Sequence, residues 1–182
     1  HKKCGEIGKA AQAWGRAIEQ DFCPAWVYLA MAALYKDTGQ LQDRMDILAR
    51  CIEEHPDQEA AYARLAAIYL RKQEHELAIQ VLEQGLSHSP KNGLLKSNLS
   101  WVLLRSGGDP QRALSLAQDA YRLAPEKPAV VDTLGWAYYG KGLYTRAVWH
   151  LREAEELAPD NAEVKKHLKR ALRAQAREKS GS

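Results

Sequence analysis

Residues 128–161 read PAVVDTLGWAYYGKGLYTRAVWHLREAEELAPDN, and this stretch of 34 residues decides the fold. Apolar residues recur in it at helical spacing on either side of Gly140-Lys141-Gly142, so it predicts two short helices joined by a tight turn. Gly135 and Ala154 are small enough to let the two helices approach closely, and Ala147 opens the second helix against the first. Pro159 lacks the backbone N–H a helix needs and ends the second one.

The pattern repeats along the chain. Stepping back from Pro159 meets Pro125, Pro90, Pro56 and Phe22, at spacings of 34, 35, 34 and 34. The small column of the second helix reads Ala154, Ala120, Gly85, Cys51 and Ala17, and the column opening that helix reads Ala147, Ala113, Ala78, Arg44 and Ala10. In the first helix Leu134, Leu99, Leu65 and Met31 align, next to Gly135, Ser100, Ala66 and Ala32. The spacing of 35 coincides with Ser106-Gly107-Gly108-Asp109-Pro110, where a loop can absorb one residue and Asp109-Pro110 suits a helix start. Arg44 and Lys96 are the mismatches, at a small and a large apolar position, and predict looser packing in the first and third repeats.

Leu134, Gly135, Tyr138, Gly142, Tyr144, Ala147, Ala154 and Pro159 stand where the tetratricopeptide repeat (TPR) places its signature residues, and the segment resembles that family. The resemblance implies an all-α fold, a right-handed α-solenoid of stacked helix-turn-helix repeats with about ten helices. The expected divisions are the second helix of a truncated repeat over 1–24, and full repeats over 25–58, 59–92, 93–127 (with the inserted turn residue) and 128–161. A capping helix and polar tail over 162–182 follow, with Leu168 and Leu172 on the packing face and Lys165 and Lys169 facing solvent. A chain that opens with His1 in mid-repeat is expected to be a fragment or a processed form. The phrases GGDPQRAL, RLAPEKPAVVDTLGWAYY and ELAPDN resemble bacterial TPR proteins, including those that accompany envelope, exopolysaccharide and protein-sorting systems.

With 46% hydrophobic residues among 182, the chain is expected to fold, and it has no apolar run near the ~18 residues a membrane span needs. The net charge of +3 is uneven: residues 162–182 hold seven Lys/Arg against Glu163 and Glu178, or +5, which leaves −2 for the rest. That distribution argues against a nucleic-acid partner, and the basic last helix reads as a solvated cap. Cys4 and Cys23 flank a helix of about 16 residues, ~20 Å or more apart and beyond reach of a disulfide. Cys51 reads as a buried small hydrophobe. The thiols lean to a cytoplasmic location, with a periplasmic or envelope-associated one as the alternative.

No catalytic constellation is visible, so no enzyme activity, cofactor or metal is expected. The six histidines lack zinc-site spacing, and His55 and His88 read as exposed helix ends. Glu153, Glu155 and Glu156 read as a solvated helix face. What remains is surface. In a TPR stack the first helices line a concave groove, and their register assigns it Leu70, Arg71, Leu94, Ser97, Trp101, Leu104, Arg105, Asp132, Trp136 and Tyr139, with Lys166, Arg170 and Arg173 from the last helix. The cluster of Trp101, Leu104, Trp136 and Tyr139 has the composition of an interface hot spot; a buried Trp anchor contributes about 2 kcal/mol or more. Trp26 stands beside the missing helix, which would have packed near it, and Trp14 and Trp149 are expected to serve packing or the outer surface.

The TPR subclass that grips chaperone tails uses a Lys, Asn and Arg clamp. Leu29, Ala33, Arg64, Leu94 and Asn98 stand at its places here, which disfavours that role. The expectation is a non-catalytic scaffold that binds a peptide or partner helix in the groove, with Arg71 and Arg105 selecting acidic groups. The alternative is self-association or docking within a longer chain through the open N-terminal face.

Overall fold

The computed structural model describes residues 14–16 and 23–181. The expected helix over 1–24 lies outside the described residues, Cys4 included, apart from Trp14-Gly15-Arg16, which are helical. Nine further helices follow: α1 (Ala25–Asp37), α2 (Leu41–Glu54), α3 (Glu59–Arg71), α4 (His75–His88), α5 (Gly93–Ser106), α6 (Pro110–Leu123), α7 (Pro128–Gly140), α8 (Tyr144–Leu157) and α9 (Ala162–Ser180). No strand occurs among the described residues, and no helix among them is long and apolar enough to cross a membrane.

The turns inside each helix pair share one device. Gly39, Gln73, Gly107 and Gly142 all take positive φ, between 62° and 75°, where glycine is favoured and Gln73 is the exception. The next helix begins two positions after Gly39, Gln73 and Gly142 but three after Gly107. The extra residue is therefore held between Gly107 and Pro110, where the Asp109 carboxylate accepts from the Gln111 N–H at 2.8 Å and caps α6.

Contacts gather the chain into two compact units, residues 1–89 and 90–182. In the first, α1 packs on α2, α2 on α3 and α3 on α4. Tyr28, Leu48, Cys51, Ala61, Tyr62 and Leu82 are completely buried there. Burial pushes the Cys51 thiol up to about 11, which keeps it protonated and inert. His55 is half-buried: its Nε2 donates to the Cys23 carbonyl at 2.7 Å, and its ring meets Tyr28 edge-on. That differs from the exposed helix end expected for it, while His88 is exposed beside Tyr62.

In the second unit α5 packs on α6 and α7, α7 on α8, and α9 on α8 and α7. Its core joins Leu114, Leu134, Tyr138, Val148, Leu151 and Leu168. A Cβ on Gly135 would stand 2.6 Å from the Leu151 Cγ, so only a glycine lets α7 and α8 come this close. The two sequence mismatches have different outcomes. Lys96 pairs with Asp119 at 3.0 Å, and Lys96 and then Arg122 hold that carboxyl below its usual range. Arg44 is buried in the first unit, 9% exposed. On α9 the packing face is Val164, His167, Leu168 and Ala171; Leu172, expected there, is exposed.

Candidate functional site

Helices α5, α7 and α9 share one face of the second unit. Helical register brings Trp101 from α5 and Trp136 and Tyr139 from α7 onto it, all three partly buried. The Tyr139 ring stacks on Trp136 with centroids 4.5 Å apart, and Trp136 stacks on the other side against His167 of α9 at 4.3 Å. Trp101 leans on the same imidazole at 5.4 Å. The indoles thus share His167 as a neighbour and remain partly exposed.

His167 is the hub of this cluster and was not among the residues expected on the face. It is 3% exposed, and its Nδ1 donates to the Asp132 carboxylate, 2.9 Å from each oxygen. Its Nε2 lies 3.6 Å from Glu163. Asp132, expected to face a ligand, is instead 8% exposed, because a carboxylate on the buried side of α7 is stabilised by the imidazole rather than by water. Ser97 is likewise buried, at 3%. Both lie beneath the face and offer a ligand no surface.

Cations frame the rings. The Arg105 guanidinium lies 5.9 Å from the Trp101 ring centre and that of Arg170 lies 5.9 Å from Trp136. Neither makes an ion pair among the described residues. Arg173 is exposed further along α9, and Lys166 is 3.8 Å from Glu163. Leu104 is partly buried and Leu94 is 46% exposed. Leu70 and Arg71 belong to α3 of the first unit, half-buried and exposed respectively. The face therefore combines a rigid aromatic floor, apolar margins and two guanidiniums whose hydrogen-bonding edges remain available.

Trp26, expected beside the missing helix, is 61% exposed, and Val27, Tyr28, Met31 and Ala32 are the residues α1 turns inward. Glu153 is no solvated bystander: it accepts from the Tyr121 hydroxyl at 2.8 Å and from the His150 Nδ1 at 3.2 Å. Hydrogen bonding to that carboxylate raises the Tyr121 pKa, while burial lowers that of His150 against the opposing pull of Glu153. Tyr138 stacks on His150 at 5.4 Å and accepts from Gln118 at 3.1 Å. Trp149, for which an outer-surface position was one expectation, is 60% exposed on α8.

Comparison with known proteins follows the same lines. Models of the tetratricopeptide repeat match residues 25–68 and 59–92. The chain is 28% identical over 170 residues to the TPR repeat-containing protein PA4667 of Pseudomonas aeruginosa, covering 91% of this chain and 28% of that one. It spans 20–28% of the length of the first curated relatives it matches. Among solved structures it resembles TTC0263, a thermophilic TPR protein of Thermus thermophilus, with a TM-score of 0.70 at 18% identity over 94% of this chain and 93% of that one. YrrB, described as a TPR protein with an unusual peptide-binding site, gives a TM-score of 0.67 at 22% identity over 91% and 85%. At such identities these likenesses speak for the fold: an all-α stack of helix-turn-helix repeats.

Proposed function

We propose, for a chain that belongs to the tetratricopeptide-repeat family, that the face shared by α5, α7 and α9 binds a peptide segment or a partner helix. Repeats of this family make protein–protein interaction scaffolds, and the chain is one of them. The observation that carries the finer reading is the ordered run Tyr139–Trp136–His167, with Trp101 against the same imidazole and Arg105 and Arg170 over the indoles.

Rings already held in place by neighbours lose little freedom on binding, so more of the contact energy appears as affinity. Tryptophan, tyrosine and arginine are the residue types that dominate interface energetics. The ligand this face suits has apolar side chains to lie on the rings and an acidic group for Arg105 or Arg170. Asp132 acts from below, by fixing the imidazole on which both indoles rest. Leu94 and Leu104 extend the apolar margin. YrrB's peptide-binding site supports peptide recognition on a fold of this kind. The repeats themselves are read as non-catalytic, and the whole protein's activity and partners as properties of a longer assembly.

The test compares wild type with Trp101→Ala/Trp136→Ala in an affinity pull-down, with mapping of the retained segment and calorimetry on the corresponding peptide. Unchanged helicity by circular dichroism qualifies the variant. The expected result is a peptide whose affinity drops at least about tenfold in the variant, as befits the loss of two aromatic anchors. Equal affinity would remove the face from consideration. Self-association is the second reading, favoured by the exposed Trp26. A sedimentation mass that rises with concentration, and stops rising in Trp26→Ala, would support it.

A further inference from the structure

The first unit contains a cleft of about 350 Å³ at the turn end of α1, α2 and α3. Tyr35, Leu41 and Ile68 form its apolar walls. Four cations also line it: Lys36, Arg44, Arg71 and Lys72. Lys72 is paired with Glu74 at 2.8 Å, while Lys36 and Arg71 form no ion pair among the described residues.

Arg44 is the unusual member. It is 9% exposed, and its Nε is buried with no hydrogen-bond partner. No ion pair among the described residues compensates it. Neighbouring Arg64 is occupied, donating to the Leu29 carbonyl at 2.9 Å. Burial first, then the positive charge of Arg71 and Arg64, lowers the Arg44 pKa, and only Asp37 opposes them. A buried guanidinium in a positive field, without a partner, is an unfavourable arrangement for the protein on its own. Its environment is one that an arriving anion would relieve.

We propose that this cleft is an anion site that takes the carboxylate of an acidic peptide segment, with an adjacent apolar side chain seated between Tyr35, Leu41 and Ile68. Charge complementarity selects an anion, and the guanidiniums of Arg44 and Arg71 match a carboxylate's planar pair of oxygens. The apolar walls favour a group carried on a hydrocarbon stem next to an apolar neighbour. Asp37 acts against a doubly charged phosphate more than against a singly charged carboxylate. All the residues that line this cleft belong to the first unit.

The experiment titrates the full chain with the capped peptide acetyl-Leu-Glu-Leu-Asp-Leu-amide, its Gln/Asn counterpart, and inorganic phosphate. Binding is read by calorimetry, and location by the NMR signal of the Arg44 side-chain Nε–H. The acidic peptide should bind and move that signal, and the Gln/Asn peptide should bind at least about tenfold more weakly, the scale of one charge-assisted hydrogen bond. In the Trp101→Ala/Trp136→Ala background, which removes the aromatic face as a second place for the same peptide, Arg44→Met should reduce affinity for the acidic peptide by a similar factor and Arg71→Gln should reduce it several-fold, while the Arg44 signal of that background should move as it does in wild type. An unmoved Arg44 signal, equal binding of the two peptides, or equal binding by Arg44→Met and Arg71→Gln would overturn the proposal. A shift caused by phosphate but not by the acidic peptide would overturn the carboxylate assignment.

Discussion

Each unit buries an ionisable side chain, His167 in the second and Arg44 in the first, and the two are treated in opposite ways. In the second unit His167 is met by Asp132 on one side, with aromatic rings stacked around it. In the first unit Arg44 is also sequestered but meets mostly like charge and keeps an unpaired Nε. The former is a closed network in which each polar group supports an aromatic surface above it. The latter leaves a charge whose partner must come from elsewhere. Burial of a polar group is thus no single signal: it marks a strut when the partner is internal and a receptor when it is not.

The largest way to break this contrast is to orphan His167. Asp132→Ala should destabilise the second unit by about 3 kcal/mol, the cost of removing one member of a buried pair, and should loosen Trp136 at the same time. Thermal unfolding and a red shift of the tryptophan emission would show both. No change in either would mean that the carboxylate is not what holds the ring. In the first unit the opposite sign is expected, because Arg44→Met removes an uncompensated charge and keeps most of the apolar stem. Stability should rise by about 1 kcal/mol, measured by denaturant midpoint, and a fall would show that Arg44 is a structural residue.

These contrasts also show how much the sequence could convey. Helix periods, the proline column and the small-residue columns were legible because each repeat imposes the same packing demand at the same register. Trp101, Trp136 and Tyr139 could be placed on one face for the same reason. His167 could not, because it sits among lysines in an exposed-looking helix and its partner Asp132 is 35 residues away. Lys96 and Arg44 were both legible as mismatches, yet only geometry shows that Asp119 pairs with one while the other forms no ion pair among the described residues and keeps an unpartnered Nε. Glu153 reads as one of several surface acids until Tyr121 and His150 converge on it from two helices. Repetition in a sequence reports backbone and packing; a polar partnership occurs once, and repetition does not record it.

A smaller effect sharpens the comparison through pH. His150 in the second unit has its pKa lowered from 6.5 by burial. The unfolded chain therefore takes up a proton at a higher pH than the folded one, so the stabilisation is complete above about pH 6.5 and is lost as pH falls from there toward the folded value. His150→Gln should flatten that part of the stability profile. A slope that persists unchanged in denaturant titrations at successive pH values would assign it to other groups.

The extra residue held between Gly107 and Pro110 has a practical reading. Helix α6 has the same 14 residues as the other second helices, and α5, at 14, is only one residue longer than the 13 of α1, α3 and α7, so the turn has accommodated a change in length with little change in the helices it joins. Gly107 has open space where a side chain would begin, and Asp109 starts α6 afresh from its own carboxylate. That makes the bond between Gly107 and Gly108 a natural point for grafting a short epitope or fluorophore acceptor. A reporter placed there would follow the molecule through its assemblies.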